Sequence, residues 1–261
     1  MKKIIFFLCL FQFFYLNAQE KESLSGKIFY NYGGEITWDF LTDSILELSE
    51  YTDEKGLVSQ KLEYKYVNAG PYYHLILRDD SKELKYVALP GVYDEFLLLY
   101  EDKSKKPIHN GLFGRNSIFY ANKTKYITDN YLTEGLIKYI PENLGDFSIG
   151  KPWVEGETDS GIGKSIKIEN SRLFKYLVIS NGFVSYKTST YYNNNRLKKI
   201  RIINKENKAQ QVEVLLKDTA IPAEIELPFE TKKIDIEILE VYKGEKYDDT
   251  CINFILCKSY Y

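Results

Sequence analysis

The residue types best suited to recognise a ligand lie in one polar cluster in the second half of the sequence. It reads YYNNNR over residues 191–196 and lies between two apolar segments. Aromatic rings stack on the C–H faces of sugars, while planar amides and a guanidinium group bond sugar hydroxyls. We therefore predict a carbohydrate site made by Tyr191, Tyr192, Asn194, Asn195 and Arg196. A run of asparagines also makes good turns, so a purely structural turn is the alternative.

A second candidate is the acidic, glycine-rich loop from Glu155 to Gly163, which follows Trp153. We predict that Glu155 and Asp159 accept hydrogen bonds from sugar hydroxyls, although oxygen-rich loops also suit calcium, and simple solvation of both carboxylates is a further alternative. The spacing of these carboxylates matches no recognised calcium motif. We therefore predict no cofactor, with a structural calcium ion as the alternative. Trp153 is a candidate sugar platform, although the alternative, packing in the core, is the more frequent role of a tryptophan beside a first core strand.

Nothing in the sequence indicates catalysis. The carboxylates form no pair whose environments are opposed, and there is no nucleophile elbow and no metal-binding cluster of cysteines and histidines. The segment Gly163-Lys164-Ser165 resembles the end of a phosphate-binding loop, but Thr158 stands where that motif requires glycine. We predict that the chain is not an enzyme.

The N-terminus has the pattern of a bacterial secretory signal. It reads MKKIIFFLCLFQFFYLNAQ, so that two lysines precede an apolar run from Ile4 to Tyr15 and a small residue, Ala18, precedes the expected cut. The apolar run is too short to span a bilayer, and no later stretch is long enough. We predict an exported protein of the periplasm, the cell surface or the medium, without a transmembrane segment once residues 1–18 are removed.

Composition narrows the fold class and the partners. The 23 tyrosines and 15 phenylalanines, with a single methionine, favour strands over helices. The net charge of −2 argues against a nucleic-acid partner held by its phosphates. Cys251 and Cys257 would lie about 20 Å apart on one strand, beyond disulfide reach, so we predict two reduced, buried thiols.

The order of patterns along the chain predicts two all-β domains. Residues 20–101 hold short alternating apolar runs between turn residues, which indicates an antiparallel β-meander or a small barrel. Residues 102–126 are polar and glycine-spotted, and we assign them to a linker. Residues 127–261 hold short strands between glycine, asparagine and proline turns, which is typical of a β-sandwich.

The second domain resembles a known family. PWVEG, GIG, NGF and NNNRLKKIRI occur in this order, with NLGD before them and LLKDTA, IEL and YDDTCIN after them. Together they resemble the NADase-type glycan-binding domain, one of the discoidin-like, galactose-binding-like β-sandwiches, from about Ile127 onward. The resemblance implies a jelly-roll sandwich that binds carbohydrate and has no catalysis of its own. The sequence departs from the family pattern at Lys164, where Glu is usual, and at Gly145-Asp146, where Asp-Gly is more frequent.

These observations predict an exported, non-catalytic carbohydrate-binding protein whose partner is a glycan or a glycoconjugate. Two alternatives stay open. One is a structural or interaction protein of the cell envelope without glycan affinity, and the other is a small enzyme whose sandwich serves as a targeting module.

Overall fold

The computed structural model describes residues 14–15, 23–79, 82–114 and 124–258. This part of the chain is almost entirely β-structure, which confirms the predicted fold class. Its one α-helix is α1, Thr188–Asn193, and short 3-10 helices lie at Val92–Asp94, Ile108–Asn110 and Pro141–Gly145. Most of the predicted signal lies outside the described residues. Within it, Phe14–Tyr15 forms strand β1.

Eight antiparallel strands close into a barrel in the N-terminal half, as one of the two predicted forms requires. Each strand pairs with the next along the sequence because turns separate short runs whose apolar residues alternate. Large aromatic rings fill the interior, among them Trp38, Phe40 and Tyr64. The strands are β2 Lys27–Tyr30, β3 Ile36–Phe40, β4 Ile45–Thr52, β5 Gly56–Asn68, β6 Tyr73–Asp79, β7 Lys82–Pro90, β8 Phe96–Glu101 and β9 Leu112–Phe113.

The segment 102–126, assigned to a linker from its composition, contains the strand that completes the barrel. β9 pairs with β8 on one side and with β2 on the other. The polar residues before it form the loop between β8 and β9, and residues 115–123 lie outside the described part of the chain. In the structure, the barrel therefore extends beyond residue 101.

The C-terminal half is a sheet that folds over a second core. Its two long strands, β14 and β17, pair with each other and bend at irregularities in their register. Isoleucines on one face of β17 (Ile234, Ile236 and Ile238) are buried together, as their alternation predicts. The strands are β10 Thr124–Ile127, β11 Thr133–Glu134, β12 Ile137–Lys138, β13 Trp153–Val154, β14 Ser165–Asn181, β15 Asn195–Asn204, β16 Gln211–Leu215, β17 Ala223–Tyr242 and β18 Thr250–Lys258.

The register of β18 determines which loops meet at one end of this sheet. β18 pairs with β14 along most of its length, with β13 at Cys251 and Ile252, and in parallel with the first residues of β15. The loops that precede β15 and β18 and follow β13 therefore come together. At the edge of the sheet, β1 pairs with β16.

A third apolar cluster joins the barrel to the sandwich. It contains Tyr72, Val87 and Tyr100 of the barrel and Val178, Phe254 and Leu256 of the sandwich. Lys258, which is fully buried, forms ion pairs with Glu95 of the barrel and with Glu224 of β17. The two units thus share a continuous core. Among the described residues, no helix is long and apolar enough to cross a membrane.

Candidate functional site

Trp153 lies in the sandwich core. Its side chain is 2% exposed, and its residue pairs with Ile252 of β18. It belongs to the same apolar cluster as Ile166 and Ile168 of β14. The structure therefore places this predicted sugar platform in the position given above as its alternative, with the indole ring away from solvent.

The cluster at residues 191–196 forms a buried corner around one ion pair. Arg196 is 5% exposed and binds Asp218 through two hydrogen bonds, Nε to Oδ1 at 3.0 Å and Nη2 to Oδ2 at 2.6 Å. The hydroxyl of Tyr191 donates to the same carboxylate at 3.0 Å. The guanidinium group also lies 5.2 Å from the ring centre of Tyr191, within cation–π range. We call Tyr191, Arg196 and Asp218 the Arg196 corner.

The second terminal nitrogen of Arg196 holds the neighbouring loop. Nη1 donates to the carbonyl oxygens of Asn194 and Lys243, each at 2.9 Å. Burial, together with the carboxylate of Asp218, raises the pKa of Tyr191, so its hydroxyl remains a hydrogen-bond donor. The N–H groups of Arg196 therefore donate to acceptors within the protein. These hydrogen bonds fix the start of the loop that leads to β18.

The two asparagine side chains of the cluster also bind backbone groups. Asn194 donates from its amide to the carbonyl of Thr190 at 2.8 Å, at the C-terminal end of α1. Asn195 is fully buried; its amide nitrogen donates to the carbonyl of Asp248, and its amide oxygen accepts from Gly244 at 2.7 Å. From the sequence, we predict that these amides form an exposed polar rim. In the structure they point inward, because backbone groups of two loops need hydrogen-bond partners here.

Tyr192 is the one partly exposed member of the five predicted residues in this cluster. Its ring packs edge-on against Tyr191, with 5.4 Å between the ring centres. Its hydroxyl reaches the barrel, where it lies 2.7 Å from the position that a Cβ on Gly70 would take. Glycine is required at position 70 by this approach and by its φ of +96°.

Glu155 and Asp159 differ in exposure although they share one loop. Glu155 is 2% exposed, and its Oε1 accepts the backbone N–H of Glu157 at 2.8 Å. Asp159 is exposed, and its Oδ1 accepts the backbone N–H of Gly161 at 2.7 Å. Burial raises the pKa of Glu155, and the charge of Asp159 acts in the same direction. The hydroxyl of Thr250 ties the loop to β18 by donating to the carbonyl of Ser160 at 2.7 Å.

A further group at this end of the sandwich was not chosen from the sequence. Tyr247 is 44% exposed, and its backbone N–H donates to the carbonyl of Asn193 at 2.8 Å. Asp249 is partly buried, and its pKa is raised by burial and by the nearby charge of Glu134. We call Glu134, Tyr247 and Asp249 the loop surface. The available signal was the YDDT segment, an aromatic residue beside carboxylates, which suits a loop cap equally well.

The described residues contain neither a group of side chains that could bind a metal ion nor a reactive thiol. No group of three or more histidine, cysteine, aspartate and glutamate side chains in them could hold a metal ion. Cys251 and Cys257 are free and buried, as predicted, and burial raises the pKa of both thiols. Such thiols remain protonated and unreactive at neutral pH.

Comparison with protein families decides what the sandwich is. The family described as the NAD glycohydrolase translocation F5/8 type C domain matches residues 120–258, more than half of the chain. The chain belongs to this family. The match covers α1, the Arg196 corner and the loop surface, so every candidate site described above lies within the F5/8 type C domain.

Solved structures give more distant likenesses to the F5/8 type C domain. The family 32 carbohydrate-binding module of Streptococcus pneumoniae EndoD is 12% identical at a TM-score of 0.43, over 55% of this chain and 100% of that chain. The CBM32-1 and CBM32-2 domains of Clostridium perfringens ZmpB, in complex with GalNAc, are 14% identical at a TM-score of 0.40. That match covers 55% of this chain and 34% of the other, so this chain spans about a third of the ZmpB fragment. No curated protein matches the chain.

Proposed function

We propose that this chain binds carbohydrate through the loop surface of its F5/8 type C domain and has no catalytic activity. The observation that carries the proposal is the exposed Tyr247 in the loop before β18, together with Asp249 of the same loop, whose pKa is raised by burial and by the nearby charge of Glu134. Neither carboxylate forms an ion pair among the described residues. A ring of this kind stacks on the C–H face of a sugar, and carboxylates accept hydrogen bonds from its hydroxyls.

The Arg196 corner serves this surface as a support in the proposal. Arg196 holds the carbonyl of Lys243, and Asn195 holds Gly244 and Asp248, so both fix the loop that carries Tyr247. Of the residues first predicted from the sequence, Tyr192 remains a candidate for direct contact because it is partly exposed. Trp153, Asn194 and Glu155 would act from beneath the surface, and Asp159 lies in the adjacent loop.

Affinity for a single sugar is expected to be weak. Each hydroxyl contact replaces a contact with water and contributes only about 1 kcal/mol. A shallow surface with one ring and two carboxylates therefore suits a dissociation constant on the order of 1 mM. Tight retention on a cell surface would then require several copies of the glycan, because linked sites raise the effective concentration.

A glycan array followed by calorimetry tests the proposal. The protein without residues 1–18 is expected to retain a subset of glycans, and Tyr247→Ala is expected to abolish that retention. Tyr51→Ala is the matched control, since Tyr51 is an exposed tyrosine of the barrel at 55% exposure. Equal retention by Tyr247→Ala and the control would exclude the loop surface. A parent protein that retains no glycan would exclude carbohydrate binding.

One observation favours a different function, that of an interaction protein. The β11–β12 hairpin projects from the same end of the sandwich, with Leu136 fully exposed and Ile137 54% exposed at its tip. An apolar hairpin tip of this kind suits a protein partner. This alternative is supported if the array is blank and Leu136→Asp abolishes an association that sedimentation detects in the parent.

Export and domain organisation complete the proposal. A signal over residues 1–18 would direct the chain out of the cytoplasm, and a linker between β9 and β10, within the segment 102–126, would join the barrel to the sandwich. Mass spectrometry of the exported protein should find an N-terminus near residue 19; a chain that still begins at Met1 would contradict export.

Limited proteolysis should cut within 102–126 before any other region.

A further inference from the structure

The turn between β5 and β6 brings the barrel against the F5/8 type C domain. The carbonyl oxygen of Pro71 accepts the backbone N–H of Ala220 at 2.8 Å and the hydroxyl of Thr219 at 2.9 Å. The hydroxyl of Tyr72 donates to the carbonyl of Ser185 at 2.7 Å, in the loop before α1. The turn is therefore hydrogen-bonded to two separate segments of the domain.

Tyr192 lies where this barrel turn meets the loop before β18. Its hydroxyl is 2.7 Å from the position that a Cβ on Gly70 would take, so its ring reaches the turn. Its backbone carbonyl accepts the N–H of Glu245 at 2.9 Å, and the carbonyl of Asn193 accepts the N–H of Tyr247 at 2.8 Å. One partly exposed ring therefore borders both the barrel and the loop that carries Tyr247.

The barrel side of this junction offers a polar group beside the ring. Asn68 is exposed, and its Oδ1 accepts the backbone N–H of Gly70 at 2.7 Å, which holds the side chain against the turn. The amide nitrogen of Asn68 is a further hydrogen-bond donor. Gly70 is exposed and places no side chain over the ring of Tyr192. A partly exposed ring beside an amide can stack on one face of a sugar and bond a hydroxyl of the same sugar.

The two sides of the junction are held in a fixed relation. Lys258 of β18 is fully buried and forms ion pairs with Glu95 of the barrel and Glu224 of β17. Separating the units would leave these buried charges without partners, which is strongly unfavourable. A ligand that contacts both units therefore binds without the entropic cost of ordering one unit against the other.

We propose that Asn68, Gly70 and Tyr192 form a second sugar subsite next to the loop surface, so that the ligand is an oligosaccharide of at least two sugar residues. The inference rests on the proposed function, since one sugar residue occupies the loop surface at Tyr247. The neighbouring residue of the glycan stacks on the ring of Tyr192, and the amide of Asn68 bonds one of its hydroxyls. The barrel is thereby part of the binding site and favours longer glycans.

Binding to glycans of two lengths tests the second subsite. The protein without residues 1–18 is measured on an array of immobilised monosaccharides and of disaccharides that carry the same terminal sugar in different linkages. A stacked ring and a hydrogen bond each contribute about fivefold in affinity, so the parent should bind its best disaccharide about 25-fold more tightly than the monosaccharide. Equal affinity for both lengths would overturn the second subsite and leave the loop surface intact. A parent that retains neither would overturn the proposed function and this inference with it.

Variants test whether the barrel itself contacts the glycan. Asn68→Ala should reduce the gain from the second sugar to about fivefold, and Tyr192→Ala should do the same, whereas Tyr192→Phe keeps the ring and should keep the gain. Asn207→Ala is the matched control for Asn68, since Asn207 is an exposed asparagine whose Oδ1 accepts the N–H of Ala209 at 3.3 Å. Circular dichroism checks the fold of each variant. The inference is wrong if Asn68→Ala and Asn207→Ala both keep the gain of the parent.

Discussion

The Arg196 corner and the loop surface lie at the same end of one domain and use similar residue types, yet their environments are opposite. In the corner, Tyr191 is fully buried and Arg196 is paired with Asp218. On the loop surface, Tyr247 is exposed and Asp249 has no ion pair among the described residues. An aromatic ring beside a charged group is therefore either a brace or a candidate contact. What separates the two is burial: Tyr191 is buried together with Arg196, whereas Tyr247 is exposed, and so is Lys246, whose ammonium group lies 4.9 Å from the ring centre of Tyr247.

The largest expected effect is on the stability of the corner. Arg196→Ala should lower the free energy of unfolding by about 3 kcal/mol, because it removes the buried guanidinium group and leaves the carbonyl oxygens of Asn194 and Lys243 without this donor. Solvent reaches Asp218, whose side chain is 34% exposed, so this carboxylate contributes less to the loss. Urea denaturation measures this change. The control is Lys198→Ala, which breaks the exposed Lys198–Glu240 pair and should change stability by less than about 1 kcal/mol. Similar losses of unfolding free energy for the two variants would show that the Arg196 corner does not stabilise the domain.

A smaller change sharpens the same contrast. Tyr191→Phe removes the hydroxyl that donates to Asp218 and keeps the packed ring. A hydrogen bond to a charged group contributes more than a neutral one, so the expected loss is about 1.5 kcal/mol in urea denaturation. Tyr51→Phe, at an exposed position of the barrel, should leave stability unchanged. An equally stable Tyr191→Phe protein would mean that water replaces the hydroxyl.

The loop surface should respond in binding rather than in stability. Asp249→Asn is expected to weaken the affinity for an array-identified glycan about fivefold, the equivalent of one hydroxyl contact of about 1 kcal/mol. Calorimetry measures the dissociation constant, and circular dichroism checks the fold. If the variant binds the glycan as the parent does, Asp249 does not contact the sugar, and the loop surface does not differ from the Arg196 corner in the way proposed.

The smallest effect is a pH dependence that belongs to Asp249. Its pKa in the folded protein lies above the ordinary value of 3.8, so ionisation is less favourable in the folded state than in the unfolded state. The contribution of this group to stability is thus fully present below pH 3.8 and is lost as the pH rises from there through the folded-state pKa. Over this rise, the parent should lose stability relative to Asp249→Asn. A constant difference between the two urea midpoints would contradict the raised pKa.

Most of the fold could be predicted from two patterns in the sequence, the alternation of apolar residues and the positions of turn residues. The buried face of Ile234, Ile236 and Ile238 follows from a period of two, and it is found in β17. By contrast, α1 was not predicted, since TSTYYN consists mostly of β-branched and aromatic residues with low helix propensity. Tertiary contacts, including the buried ring of Tyr191, hold it instead.

The candidate site was harder to predict because the partners are distant in sequence. Asp218 stands 22 residues after Arg196, and its carboxylate turns a group that looked like an open sugar rim into a closed pair. Likewise, nothing near Tyr247 in the sequence indicates that its loop projects while the loop of Asn195 turns inward. The residue types are given by the sequence, but the exposure of each side chain depends on a register that only the folded sheet defines.

The position of β18 has a consequence for the order in which the chain folds. All nine of its residues are buried, and they pair with strands that begin as early as Trp153 and Ser165. The sandwich therefore cannot close until residues 250–258 have been synthesised and have paired with β13 and β14. Contacts this distant in sequence make folding slow and leave the edge of β14 open in the meantime. A sandwich that closes late therefore exposes its apolar strands to solvent for longer before the core is complete.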